Sequence, residues 1–141
     1  MSVLLVGGVG CGESAGVAAG ATVTAYVEAP LCAGAKRELA REGGRAGEVR
    51  IRAVCLPVVD KGERVDLAQV GANARRATED SATVAYLELP VTPSFSRPIV
   101  EAANIAVIRS NSGKAAMERL LSATAEANSG SLRDQVRQNL N

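Results

Sequence analysis

The chain predicts an α/β domain, with a parallel sheet of about four strands in the middle layer and helices on both faces. Three observations carry this. Short segments rich in β-branched residues alternate with segments of helical period, in the order β-α-β-α-β-α-β-α-α. The connections are short, and strand–helix–strand units of that kind cross over right-handed, giving a parallel sheet covered on both sides. Apolar residues make up 47% of the chain but aromatic residues only 2%, so the core must be built from Ala, Val, Leu and Ile. At 141 residues the chain is long enough to bury such a core as one domain.

The first 20 residues stand apart. Met1 to Val9 is short and apolar, and Gly7 to Gly20 is loaded with Gly, Ala and Ser. Each glycine costs a helix about 1 kcal/mol relative to Ala, so residues 1–20 read as a leader ahead of a domain at 21–141.

Regular elements begin with Thr22–Val27, a β-branched strand. Pro30 opens a helix, where its missing N–H costs nothing, with Leu31, Ala35 and Leu39 on one face. Gly43 and Gly44 stop it. Glu48–Leu56 alternates, with Val49, Ile51, Ala53 and Cys55 on one side and Arg50 and Arg52 on the other. One apolar face places this strand at a sheet edge.

Pro57 to Val65 is a loop, and Asp66 caps a helix whose buried side carries Leu67, Val70, Ala74 and Ala77. Thr83–Leu89 is a third strand, ended by Pro90, and Ser94–Ala103 is a short helix. Ile105–Ile108 is a brief strand, apolar throughout and therefore expected to be central. Ser112 or Gly113 starts a helix with Ala116, Met117, Leu120 and Leu121 inward. After a break at 128–130, Ser131 and Asp134 have capping-box spacing for a last helix striped by Leu132, Val136 and Leu140.

Composition narrows the function. The net charge of +1, with acids and bases interspersed, lacks the basic stripe and stacking aromatics of a nucleic-acid surface. No run of about 20 apolar residues resembles a membrane span. Histidine is absent, which removes the commonest general base and neutral metal ligand. The expectation is a protein that is not an enzyme, with no catalytic residue, no metal and no cofactor. In a parallel sheet, ligands gather at the carboxyl ends of the strands. Those ends are Glu28–Gly34, Leu56–Val59, Glu88–Ser94 and Arg109–Gly113.

Several of these segments resemble one lobe of the type I periplasmic binding proteins, the branched-chain amino-acid-binding lipoproteins of ABC transporters. Tyr26-Val-Glu-Ala-Pro30-Leu31-Cys-Ala-Gly34 is similar to their first strand and loop. Gly71–Ala77 looks like the helix before their third strand, and Val84–Leu87 with Ser94 and Ser96–Ala102 like that strand and its helix. Asn104–Ile108 with Ser110 and Asn111 matches the next strand and its polar loop. Ala115–Ala125 and Arg133–Leu140 resemble the helices that return to the first lobe.

The resemblance covers about 120 residues and rests on several weak matches in the right order. It implies a flavodoxin-like strand order and a small polar, amino-acid-like ligand bound by Glu28, Pro30, Glu88, Ser94, Ser110 and Asn111. Glu28 and Glu88 stand where the family has Ser and Gly, and bring negative charge to the ligand end. Ser94 reads equally as a helix cap, and Ser110 or Asn111 as turn formers. It further implies an extracytoplasmic protein reduced to one lobe, with a transporter permease or a separate second lobe as partner.

Cys11, after Gly10, reads as the lipidated cysteine of a truncated lipoprotein signal or as an untouched leader thiol. A lipid on Cys11 is the only membrane attachment expected. Cys32 starts the first helix and Cys55 ends the second strand, at the same sheet edge. Related receptors often carry a disulfide in this lobe, so the pair is a disulfide candidate; two buried free thiols are the alternative.

Two other classes stay open. One is a non-catalytic interaction or sensory module, or a homodimer, pairing through Leu31, Ala35, Val70 and Ala74. The other is a Rossmann-like nucleotide binder, with Val3–Val6 as a strand, Gly7–Gly12 as a phosphate loop and Glu28 as the ribose acid.

Overall fold

A computed structural model describes residues 21–127 and 131–140. The expected leader with Cys11, the Val3–Val6 strand and Gly7–Gly12 loop, and the break at 128–130 lie outside the described residues.

The order of elements is β1 (Thr22–Val27), α1 (Ala29–Arg41), β2 (Arg45–Ala46), β3 (Val49–Cys55), α2 (Leu67–Glu79), β4 (Thr83–Glu88), α3 (Ser96–Ala102), β5 (Ala106–Arg109), α4 (Gly113–Ala125) and α5 (Leu132–Leu140). They form an α/β fold around a five-stranded sheet in the order β2-β3-β1-β4-β5. Strands β3, β1, β4 and β5 are parallel, and β2 pairs antiparallel with β3.

The fifth strand and two placements depart from expectation. Glu48–Leu56 is not the edge, because Arg45–Ala46 pairs outside it. The two-residue turn between Ala46 and Val49 has Gly47 (φ +60) first, the position glycine takes in type II′ hairpins. Conversely, the apolar segment expected to be central is the other edge, one residue displaced as Ala106–Arg109. Helices cover it on both faces, so Ile105, Ala106 and Ile108 are buried although, among the described residues, no strand lies beyond.

Each face of the sheet has its own core. On one side Val23, Ala25, Val27, Val49, Ile51, Ala85, Leu87 and Ile108 pack against α1, α4 and α5. On the other Tyr26, Tyr86 and Ile105 pack against Ala74 and Ala77 of α2 and Val100 of α3. Arg50 and Arg52 of β3 stay exposed on that side.

Helices α1 and α4 approach closely because Gly113 and Gly34 lack side chains. A Cβ on Gly113 would collide with the Leu31 carbonyl oxygen and lie 2.7 Å from the Ala35 nitrogen. Ser112 caps α4 by accepting from the Ala115 N–H at 3.1 Å. Arg133 ties α5 to the opposite end of the sheet, donating to the carbonyls of Thr83 (2.7 Å) and Ala103 (3.2 Å). Asp66 caps α2 as expected, accepting from the Gln69 N–H. Leu67, expected on the buried side, is 54% exposed at the first position of α2, and Asn73 is buried in that helix instead.

Leu31, Ala35, Val70 and Ala74 are buried in the chain's own core, so they cannot form the exposed pairing surface of the interaction-module reading.

Candidate functional site

The carboxyl ends of β1, β3 and β4 open onto one cavity of about 210 Å³. Its first wall is the junction of β1 and α1, Glu28 to Pro30. The second is the loop after β3, contributing Pro57, Val58, Val59 and Val65. The third is the loop after β4, contributing Leu89, Val91 and Thr92.

Local sequence explains why these walls hold their shape. The loop after β3 folds back on itself: Asp60 bridges Val65, the Lys61 N–H donates to Arg64 at 2.8 Å, and the Asp66 N–H donates to Val59 at 2.7 Å. The Asp60 side chain accepts from the Gly62 N–H at 3.0 Å, and Gly62 takes the left-handed conformation (φ +83) that an L side chain resists. At the loop's root, buried Asn73 of α2 donates to the Pro57 carbonyl at 3.1 Å. Two residues earlier, Cys55 is disulfide-bonded to Cys32 of α1, with Cα atoms 5.7 Å apart. This is the expected pair.

The loop after β4 is held by charge. Glu28, 2% exposed, accepts from the Leu89 N–H at 2.7 Å and from the Thr92 hydroxyl at 2.7 Å to Oε1 and 3.0 Å to Oε2. Glu88, fully buried, accepts from the Ser96 hydroxyl at 3.1 Å. Arg109, at the end of β5, reaches over the same loop and donates to the carbonyls of Thr92 (2.6 Å) and Pro90 (3.2 Å). Its Nε lies 3.0 Å from Glu88 Oε2, but the N–H is not aimed at that oxygen, so the pair is ionic rather than hydrogen-bonded.

Burial dominates the titration of both acids. Desolvation raises the Glu88 carboxyl to about 7 against the opposing pull of Arg109 and Ser96, with Glu28 adding repulsion. Desolvation also raises Glu28, against its bonds from Leu89 and Thr92. The Tyr86 hydroxyl, buried beside both, is raised as well.

The structure therefore brings together only part of the expected site. Glu28 and Pro30 line the cavity. Glu88 lies beneath the same loop, and its visible work is to hold Ser96 and Arg109. Ser94, Ser110 and Asn111 do not line the cavity. Ser94 and Asn111 are exposed, and Ser110 uses its hydroxyl on the Ser112 backbone, the turn-forming alternative.

The strand-end loops expected to meet a ligand contain Val58 and Val91, but sequence reasoning singled out neither and left Val65 outside; the three are unusually exposed for their type at 54%, 79% and 38%. Valines in loops where polar residues are usual were the available signal.

Among the described residues, no group of three or more His, Cys, Asp or Glu side chains is placed to hold a metal ion, and no helix is long and apolar enough to cross a membrane. No protein-family model, curated protein or solved structure matches the chain.

Proposed function

We propose that the protein is an extracytoplasmic small-ligand-binding lobe of the type I periplasmic-binding-protein kind, related to the substrate-binding components of amino-acid transporters. The observation that carries this reading is the cavity itself: apolar, partly pre-formed, and placed at the carboxyl edge of a parallel sheet. The order of the parallel strands supports it, since β3-β1-β4-β5 is second-first-third-fourth in sequence, the start of a flavodoxin-like order. The Cys32–Cys55 disulfide is compatible with an oxidising, extracytoplasmic setting.

The mechanism is reversible docking with no covalent step. A ligand enters between the loops after β3 and β4 and displaces water from the valine-lined walls. The disulfide and Asn73 hold one wall, and Glu28 and Arg109 hold the other, so little ordering is left for binding to offset. Thermal unfolding of the full chain against amino acids, organic acids, amines and nucleotides tests this. A ligand present at about 100 times its dissociation constant adds about 2.7 kcal/mol, a rise of several degrees. No rise with any small molecule sinks the reading.

A second reading, an interaction module, draws on the exposure of Leu67 and Phe95 as well as Val58, Val65 and Val91. It expects no ligand shift, and self-association or partner binding that is lost when Val91 and Phe95 become Ser.

A further inference from the structure

We propose that the cavity takes a small aliphatic amine, with its hydrocarbon body among Pro30, Val59, Leu89 and Val91 and its ammonium group on the Glu28 carboxylate. This rests on the small-ligand reading above and names the chemical class of the ligand.

Charge is the first ground. The lining carries three acids, Glu28, Asp60 and Glu63, against one base, Arg64. Of these only Glu28 is buried. Buried carboxylates require a partner charge, and Arg109, the cation that acts on Glu28, is committed elsewhere. Its guanidinium faces Glu88 at 3.0 Å and the Thr92 and Pro90 carbonyls. Glu28 thus shares its one nearby cation with Glu88, on which Arg97 also acts, and an incoming ammonium supplies Glu28 with a counter-charge of its own.

Hydrogen-bonding capacity is the second ground. Glu28 Oε1 accepts from Leu89 and Thr92, both at 2.7 Å. Oε2 has only the 3.0 Å branch from Thr92, whose hydroxyl carries a single proton. Oε2 is left with acceptor capacity that an N–H donor fills. Burial holds the Glu28 carboxyl above its usual range, and an ammonium beside it brings back the ionised form.

The α1 N-terminus argues the other way, because helix N-termini attract anions. Here that end is poor in donors. Pro30 has no N–H, and the Leu31 N–H already donates to the Glu28 carbonyl at 2.9 Å. A carboxylate entering the cavity meets the buried Glu28 and the exposed Asp60 and Glu63, with the exposed Arg64 as the one cation of the lining to offset them. Size is compatible with this class: a cavity of about 210 Å³, the space of roughly seven waters, has room for a five-carbon amine.

Isothermal titration of the full chain with 3-methylbutan-1-amine, 3-methylbutan-1-ol, 3-methylbutanoate and leucine tests the assignment. The amine is expected to bind about tenfold more tightly than the isosteric alcohol, and leucine and the carboxylate more weakly than the amine. Glu28→Gln should weaken the amine about tenfold and leave the alcohol within about twofold. The wild-type series decides the matter even if that variant does not fold. Leucine or 3-methylbutanoate binding as tightly as the amine overturns the proposal, as does an amine affinity unchanged in a folded Glu28→Gln protein. If none of the four binds while the broader thermal panel finds a ligand, the amine assignment falls alone. If neither finds one, the small-ligand reading falls with it.

Discussion

Arg109 and Glu88 meet at 3.0 Å across the carboxyl ends of two neighbouring strands, the acid fully buried and the arginine 27% exposed. The register makes the meeting unavoidable, since Glu88 and Arg109 are direct partners across β4 and β5. From there the guanidinium extends over Pro90 and Thr92, so one ion pair joins the core of the sheet to a wall of the cavity.

The first consequence is a pH dependence. Arg109, Ser96, Glu28 and Arg97 act on Glu88, and the balance leaves its carboxyl at about 7 against an ordinary 4.5. Between those values the folded state holds more protons than the unfolded chain, so stability falls as pH rises from about 4.5 to about 7. Glu28 acts in the same direction. Asp80 acts oppositely: its carboxyl lies below the usual range, chiefly through the Ala82 N–H, and its contribution is lost as pH falls through that lowered value. Urea midpoints should therefore be higher at pH 5 than at pH 8, and Glu88→Gln should remove most of the difference.

Replacing Arg109 by Met leaves Glu88 buried without its counter-charge. At pH 8 this should cost about 1.4 kcal/mol in urea unfolding beyond the loss of the Pro90 and Thr92 contacts, because a carboxyl at about 7 takes up a proton for that much one unit above its pKa. At pH 5, where Glu88 is largely protonated, the loss should be clearly smaller. An equal loss at both pH values would mean that the contacts to Pro90 and Thr92, not the ion pair, are what Arg109 contributes.

Two glycine substitutions separate packing from backbone freedom. Gly113→Ala drives a methyl group into the Leu31 carbonyl and the Ala35 nitrogen, both backbone atoms that cannot turn aside. It should lower stability by about 3 kcal/mol or more, the upper range for overpacking. Gly43→Ala meets nothing within 4 Å and suffers only from its φ of +74. It should cost about 1 kcal/mol. Chemical denaturation of both variants checks the contrast.

Reducing Cys32–Cys55 reopens a loop spanning 23 residues of separation. Loop-closure entropy puts the loss at about 3 kcal/mol. Because Cys55 stands just before Pro57, the Cys32→Ser, Cys55→Ser protein should also loosen the β3 wall, and amide exchange at Val58 and Val59 should quicken. Unchanged exchange there would separate the disulfide from the site.

How much of this was legible depends on whether the signal was local. Caps and stops were readable: Pro30 opening α1, Gly43 and Gly44 closing it, Asp66 and Ser112 capping α2 and α4. Position in the sheet was not, because burial of a strand depends on what covers it. Ile105 to Ile108 is as apolar as a central strand because α3 lies on one face and α4 and α5 on the other. Val49 to Cys55 reads as an edge because Arg50 and Arg52 are exposed on one face, although β2 lies beyond. Strand β2 has only two residues, too few for any periodicity, and Gly47 was its one trace.

The site followed the same rule. Glu28 and Pro30 were found because they end a strand and begin a helix. The roles of Thr92 and Arg109 were hidden, since Thr92 contacts Glu28 across 64 residues and Arg109 contacts Thr92 across 17. Single-sequence periodicity carries no information at that range.

The most direct test of the account is a map of backbone amide shifts in the full chain as the ligand found by thermal screening is titrated in. The largest shifts are expected at Val58, Val59, Val65, Leu89, Val91 and Thr92, residues that wall the cavity. Shifts centred instead on Ser94, Ser110 and Asn111, or spread without a centre, would contradict it.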